Sequence, residues 1–305
     1  PHNLLKEGKN VITVRVISNI GVGGFVPDKA YILYSGSDTI NLQGEWKYKL
    51  GAKMEPLAQQ TFVRWKPTGL FNAMINPLLN YSIKGVAWYQ GESNALRYKE
   101  YLNLFSTMTK DWRKRWKIGN FPLLYVQLPN YGDILNEPSD GAWAYFREEQ
   151  LKALSVIPNS AMIVSIDSGE WNDIHPLNKK VIGIRLALAA QKIAYADKKI
   201  VHSGPIYKSM IIKNNKIILQ FSHIGSGLVA KGGELKEFAI KGKGTKFIWA
   251  KAIIENDRVI VWSDEIADPV AVRYAWADSP KNATLYNKEG LPASPFRTDI
   301  VKKYK

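Results

Sequence analysis

Apolar and polar positions alternate in three different styles along the chain. Over the first fifty residues the apolar side chains come in short runs. Asn10 to Ile17 is rich in β-branched residues, and Lys29 to Tyr34 and Asp38 to Leu50 predict two further strands, the last with Trp46 and Tyr48 in alternation. Gly21-Val22-Gly23-Gly24 reads as a loop between them. Two or three strands cannot close a pair of sheets, so this stretch is expected to be the end of a β-sandwich. Residues 51–70, with Pro56, Pro67 and Gly69, read as a connector, and Leu70 to Leu78 as a short apolar helix or turn. The period then changes. An apolar strand at 84–89 precedes a helix over 96–116, in which Tyr98, Tyr101, Leu102, Phe105, Met108 and Trp112 recur at three or four. A strand from Phe121 to Leu128, a polar loop from Pro129 to Gly141 and a helix over 142–155 follow. A strand from Ser160 to Ile166, a loop from Asp167 to Asn178 and a helix over 178–196 complete this part. The β-α-β-α-β-α order calls for a parallel sheet with right-handed crossovers. After Tyr195, short strands separated by Gly, Asn, Asp and Lys turns predict an all-β domain of sandwich type. The expected organisation is therefore a β remnant over 1–50, an α/β domain over 51–198 and a C-terminal β domain over 199–305.

Composition narrows the classes. The chain has 305 residues, 46% of them hydrophobic, which is ample for packed cores and argues against disorder. No window holds the ~18 uninterrupted apolar residues of a membrane span. The net charge of +15 raises the question of a polyanion partner, but the basic residues are scattered in short groups such as Arg113-Lys114-Arg115 and Lys302-Lys303. Dispersed charge of this kind reads as solvated faces, so no nucleic-acid partner is expected. Cysteine is absent, which excludes disulfides and a thiol nucleophile. The chain opens at Pro1 without a signal-type segment, and the expectation is that processing or truncation has removed what came before.

Candidate chemistry gathers at two places. Behind the strand at 84–89 stand Gln90, Gly91, Glu92, Ser93 and Asn94, where a parallel sheet places its ligands, beyond the carboxyl ends of its strands. The competing reading is a helix start, with Ser93 or Asn94 as cap and Gly91 easing the turn. Of four histidines, only His175 falls at the same edge, in Asp173-Ile174-His175-Pro176. A carboxylate beside a histidine can fix its tautomer, as a general base requires, although Asp173 can equally cap the next helix. Gln90 offers the side-chain N–H that stabilises a tetrahedral oxyanion. A nucleophile is not evident. No Gly-x-Ser-x-Gly elbow occurs; Ser93 is better explained as a cap, Ser165 alternates within a strand, and Ser168 lacks elbow context. Asp167, Asp173 and His175 make a poor metal set, and no phosphate-cradling or dinucleotide loop is present, so neither metal nor cofactor is expected.

At these residues the chain resembles the sialate O-acetylesterase family, a branch of the SGNH-type serine esterases. The resemblance is carried by Trp88-Tyr89-Gln90-Gly91-Glu92-Ser93-Asn94, Asp111-Trp112-Arg113, Val126-Gln127-Leu128, Arg147-Glu148-Glu149-Gln150 and Asp173-Ile174-His175-Pro176. Val272-Arg273-Tyr274-Ala275-Trp276 and the segment Gly290 to Arg297 extend it towards the end, and Leu5 to Ile12 with Gly44-Glu45-Trp46 match a β domain inserted in that family. It implies a parallel three-layer, flavodoxin-like hydrolase core, partial here, with flanking β-sandwich-type segments. Gln90 and its turn would line the oxyanion hole, His175 would be the base and Asp173 its orienting acid. Gly91, Glu92, Asn94, Asn72 and Arg147 are expected in substrate-side or supporting places, Glu92 and Arg147 paired to hold the turn rigid. Trp88 and Tyr89 are expected to pack. The family's Gly-Gln-Ser-Asn segment is not in this sequence, and Asn172 stands where the wider superfamily's Asp-x-x-His spacing puts its acid. The implied function is removal of O-acetyl groups from sialic acid or a related sugar, in a periplasmic or secreted setting, with the serine carried by an upstream part of the same protein. The alternative is a non-catalytic glycan-binding or scaffold protein. Asn80-Tyr81-Ser82 and Asn282-Ala283-Thr284 match the glycosylation pattern of a secretory route.

Overall fold

The computed structural model describes residues 4–18, 24–55 and 66–299. Gly21-Val22-Gly23, Pro56 and Lys302-Lys303 lie outside the described residues. The chain divides into two compact units, Pro1–Asn76 and Pro77–Lys305.

In the first unit Ile32–Ser35 (β1) and Asp38–Asn41 (β2) pair antiparallel, Ser35 opposite Asp38. Gly36 and Ser37 form the two-residue turn, and Gly36 takes the φ of +61° that such tight hairpins need. Phe25 packs edge-on to Tyr31 at 4.9 Å and against Trp46 at 5.7 Å. Two expectations are corrected here. The run 10–17 is not a strand: Val11 is 80% exposed and Ile17 69%, and the run joins no ladder among the described residues. β-branching favours an extended backbone, but a strand also needs a neighbour for its N–H and C=O groups. The second hairpin strand stops at Asn41 instead of running to Leu50. The Asn41 side chain accepts from the Gln43 N–H, and Trp46 Nε1 donates back to the Leu42 carbonyl, which turns the chain out of line.

The second unit begins its regular structure with Val86–Trp88 (β3), Leu123–Val126 (β4) and Ser160–Ile163 (β5), a parallel sheet in that order. Between and after them lie helices Tyr98–Trp116 (α1), Ala142–Val156 (α2) and Lys179–Ile193 (α3). Alternation along β4 decides the layering. Leu123 and Tyr125 join a core with Tyr101 and Phe105 of α1 and Phe146 of α2, while Leu124 and Val126 join Ile182 and Ala189 of α3. All four β4 residues are buried, as a central strand covered on both faces requires.

The remainder is antiparallel. Ile206–Lys213 (β6), Lys216–Ser222 (β7), Lys251–Glu255 (β11) and Arg258–Trp262 (β12) form one sheet, ordered β11-β12-β7-β6. Phe238–Gly242 (β9), Ile248–Trp249 (β10), Pro269–Tyr274 (β13) and Phe296–Arg297 (β15) form another, ordered β10-β9-β13-β15. Leu228–Ala230 (β8) pairs with Leu285–Asn287 (β14). Ile217, Leu219, Val259 and Val261 meet Phe238, Ile240, Val272, Tyr274 and Phe296 in one core, continuous with the α1–α2 side of the parallel sheet. The unit is thus a mixed α/β body, with one parallel sheet and several antiparallel ones.

Candidate active site

The turn after β3 is closed by its own side chains. Gln90 Nε2 donates to Asn94 Oδ1 at 2.7 Å, the Gly91 N–H donates to Glu92 Oε2 at 2.9 Å, and the Asn94 N–H donates to the Gly91 carbonyl at 2.8 Å. A 3-10 turn over Glu92–Arg97 then leads into α1. The capping reading is corrected: Gly91 occupies the cap position and no side chain caps the turn, because Asn94 faces Gln90 and Glu92 reaches back to Gly91. Gly91 is buried, and a Cβ there would run into the Phe146 ring. Trp88 stacks on Phe105 at 6.2 Å and meets Trp112 edge-on at 5.7 Å, and Lys179 lies over the Tyr89 ring at 5.3 Å. Burial, and then the Glu92 charge, push the Tyr89 hydroxyl up to about 12, so it stays protonated at neutral pH.

The loop after β5 holds the second group. Asp173 Oδ1 accepts the backbone N–H of His175 at 2.8 Å, and Glu170 Oε1 accepts the N–H of Leu177 at 2.7 Å. The first bond is the local turn that Asp side chains form with the backbone two residues on. The His175 side chain is exposed, and Ile174 beside it packs on the core. Ser168 donates to the Ser165 carbonyl and Ser165 to the Gln127 carbonyl, both buried.

The segment after β4 joins the two. Gly91 packs against Leu128 as well as Phe146, Gly169 lies so close to the Asn130 backbone that a Cβ would not fit, and the Gly132 N–H donates to the Trp171 carbonyl at 2.9 Å. Gln90 and the Asp173–His175 loop therefore follow the two strands flanking β4, at the carboxyl edge of one sheet. Asn72 is in the first unit, where its Nδ2 donates to the Thr68 hydroxyl at 3.3 Å.

Arg147 does not pair with Glu92. It is fully buried and donates to four backbone carbonyls: Leu128, Pro129, Ala277 and Asp278, at 2.7–2.8 Å. Burial, only partly offset by the Asp278 charge, pulls its guanidinium down to about 9, still cationic at neutral pH. Local sequence pattern assigns several supports no role, although Gln127 and Gln150 stand in motifs that carry the resemblance. Gln150 accepts from the Leu128 N–H and donates to the Val126 carbonyl, and Gln127 Nε2 donates to the Arg147 carbonyl and to Ser294. Arg185 grips both oxygens of Asp167 at 2.6 and 2.7 Å. Burial by itself would raise the Asp167 carboxyl, but Arg185 and the Tyr286 hydroxyl outweigh it and hold it below the usual range. The Asn130 amide oxygen is buried with no donor among the described residues.

Comparison with known proteins fits this arrangement. The family model of carbohydrate esterases described as sialic acid-specific acetylesterase matches residues 57–193, which take in both motif loops. Residues 57–193 therefore carry this family's domain. It is 30% identical over 257 residues to the sialate O-acetylesterases of mouse and human, covering 76% of this chain and 47% and 49% of theirs. The chain thus spans about half the length of these relatives. A solved carbohydrate acetylesterase from Xanthomonas citri is 43% identical with a TM-score of 0.70, over 75% of this chain and 54% of that one.

Proposed function

We propose that this chain carries the base and the oxyanion donor of a serine carbohydrate esterase that removes O-acetyl groups from sialic acid or a related acetylated sugar. The observation that carries the reading is the placing of Gln90 and the Asp173–His175 loop on the strands either side of β4, knitted through residues 127–132. The layering of α1 and α2 against α3 suits an SGNH, flavodoxin-like core, and residues 51–198 are its catalytic part, with 1–50 from an inserted β domain and 199–305 as a C-terminal one. His175 takes the serine proton as the oxygen attacks the acetyl carbon, and Asp173 orients the imidazole. The second N–H of the Gln90 amide holds the oxyanion, the first being committed to Asn94. The ester C–O bond breaks, the sugar oxygen leaves with the proton from His175, and water releases acetate from the serine. The Gly91 N–H, bonded to Glu92, is not a second donor.

Ser165 and Ser168 are tied to backbone carbonyls, so the reading assigns the attack to a serine in a Gly-Gln-Ser-Asn segment of the kind the resemblance implies, which this sequence does not contain. The same absence favours a second reading for this polypeptide by itself, a glycan-holding scaffold without activity. The setting proposed with the esterase reading, on the family resemblance alone, is periplasmic or secreted. Acetate release from O-acetylated sialic acid and from acetylated neutral sugars separates the readings, measured for this chain and for a longer form that includes the serine segment. Activity confined to the longer form is expected. An inert longer form, or one in which His175→Ala is fully active, overturns the esterase reading.

A further inference from the structure

Outside the candidate active site the unit has a cavity of 320 Å³ between the 129–141 loop and strands β9 and β10. That size is in the range of small-ligand sites. Its walls are of two kinds. Trp249, 42% exposed, offers an indole face, and its Nε1 donates to the Asn136 carbonyl at 2.6 Å, which fixes the ring against the loop. Opposite in character stands Glu237, half-buried and held at a φ of +63°, a conformation uncommon outside glycine. Its Oε1 accepts the Asn282 N–H at 3.2 Å, and its Oε2 accepts from none of the described residues. Burial raises the Glu237 carboxyl, the mark of a desolvated group short of partners.

We propose that this cavity is a glycan-binding subsite, in which Trp249 stacks on a neutral pyranose ring while Glu237 and Asn282 take up its hydroxyls. A pyranose has both things the walls ask for: a flat C–H face for the indole, and O–H donors for the free carboxylate oxygen. A purely apolar ligand would leave Oε2 buried without a donor, at the usual cost of an unpaired polar group. An acidic sugar would bring its carboxylate against Glu237, like charge on like. An organic ammonium ion is favoured by several aromatic faces. Here Phe238 is only 1% exposed, so Trp249 supplies the accessible one. The inference rests on the cavity alone and does not need the esterase reading.

The experiment is a calorimetric titration of this chain with lactose, cellobiose and xylobiose, beside N-acetylneuraminic acid and choline. Saturable binding of at least one neutral disaccharide is expected. Trp249→Ala should weaken it about tenfold, and Glu237→Gln severalfold, with unchanged circular dichroism. Trp249→Phe keeps an aromatic face without the Nε1 bond and should retain part of the affinity, which separates stacking from misfolding. No saturable binding at tens of millimolar overturns the proposal. So does tighter binding of choline or N-acetylneuraminic acid than of any neutral probe, or wild-type affinity in both Trp249→Ala and Glu237→Gln. Failure here leaves the acetate-release test untouched, and failure there leaves this one standing.

Discussion

At the scale of single residues, the oxyanion role proposed for Gln90 draws on Asn94, which engages one of the two Gln90 amide N–H groups and so would orient the other. A free glutamine side chain would lose rotamer entropy each time it met an oxyanion; one already hydrogen-bonded at 2.7 Å has lost it on folding. In an active form of the esterase, Gln90→Ala should therefore lower kcat about 10²-fold, the usual effect of deleting one oxyanion donor. Asn94→Ala should lower kcat about tenfold with KM little changed, and Asn94→Asp, which keeps the accepting oxygen, should recover most of it. Steady-state kinetics on an acetylated sugar check all three. Equal kcat in Gln90→Ala and wild type would assign Gln90 to the packing of the turn. The sequence showed the residue types here but not their pairing. Ser93, Asn94 and Gly91 also fit a helix cap, and only the fold shows that Glu92 and Asn94 turn inward to the strand end.

At the scale of elements, periodicity was legible where an element is long and covered along one stripe. The sequence predicts α1, α2 and α3 within a few residues of their bounds, and the three parallel strands emerge as short apolar runs. What was not legible depends on partners far along the chain. The run 10–17 has strand composition without a ladder, whereas β8, β14 and β15 are strands because of neighbours that short windows cannot contain. Arg147 is the clearest instance. From the sequence it is expected to pair with Glu92, yet it joins the exit of β4 to carbonyls 130 and 131 positions away. A buried acceptor left without its donor typically costs about 1–3 kcal/mol, and Arg147→Met, which strands four carbonyls, should destabilise the fold by several kcal/mol, of the order of two or three such losses. Arg147→Lys should recover little, since an ammonium cannot span the four carbonyls that a planar guanidinium reaches. Denaturant unfolding gives the measurement; a midpoint unchanged in Arg147→Met would remove the clamp from the account. Gly91→Ala should also destabilise, because the added methyl meets the Phe146 ring, and chain unfolding midpoints read this too.

At the scale of the whole molecule, two kinds of titrating group set how stability responds to acid, and they act in different windows. His202 meets the His223 ring edge-on at 6.2 Å, and burial first, then His223 and Lys192, bring its imidazole down from 6.5 to about 4. Between those values the unfolded chain binds a proton that the folded one refuses, so stability falls as pH drops from about 6.5 to about 4. Asp167 and Glu148 behave differently. Burial alone would raise both, but Arg185 on Asp167, and Arg297 with Lys152 on Glu148, hold them below their ordinary values of 3.8 and 4.5. Their contribution is whole above those values and is lost as pH falls further, through the folded pKa of each. Glu237, raised by burial, opposes this trend, because the folded state takes up its proton first. Urea unfolding midpoints across pH 3 to 8 should therefore show two successive declines, the first beginning near 6.5. Burial also lowers the His223 imidazole, so His202→Asn should shrink the first decline without abolishing it and leave the second, while Arg185→Met should lower stability at pH 7 and shrink the second. A first decline undiminished in His202→Asn would place the proton uptake on His223.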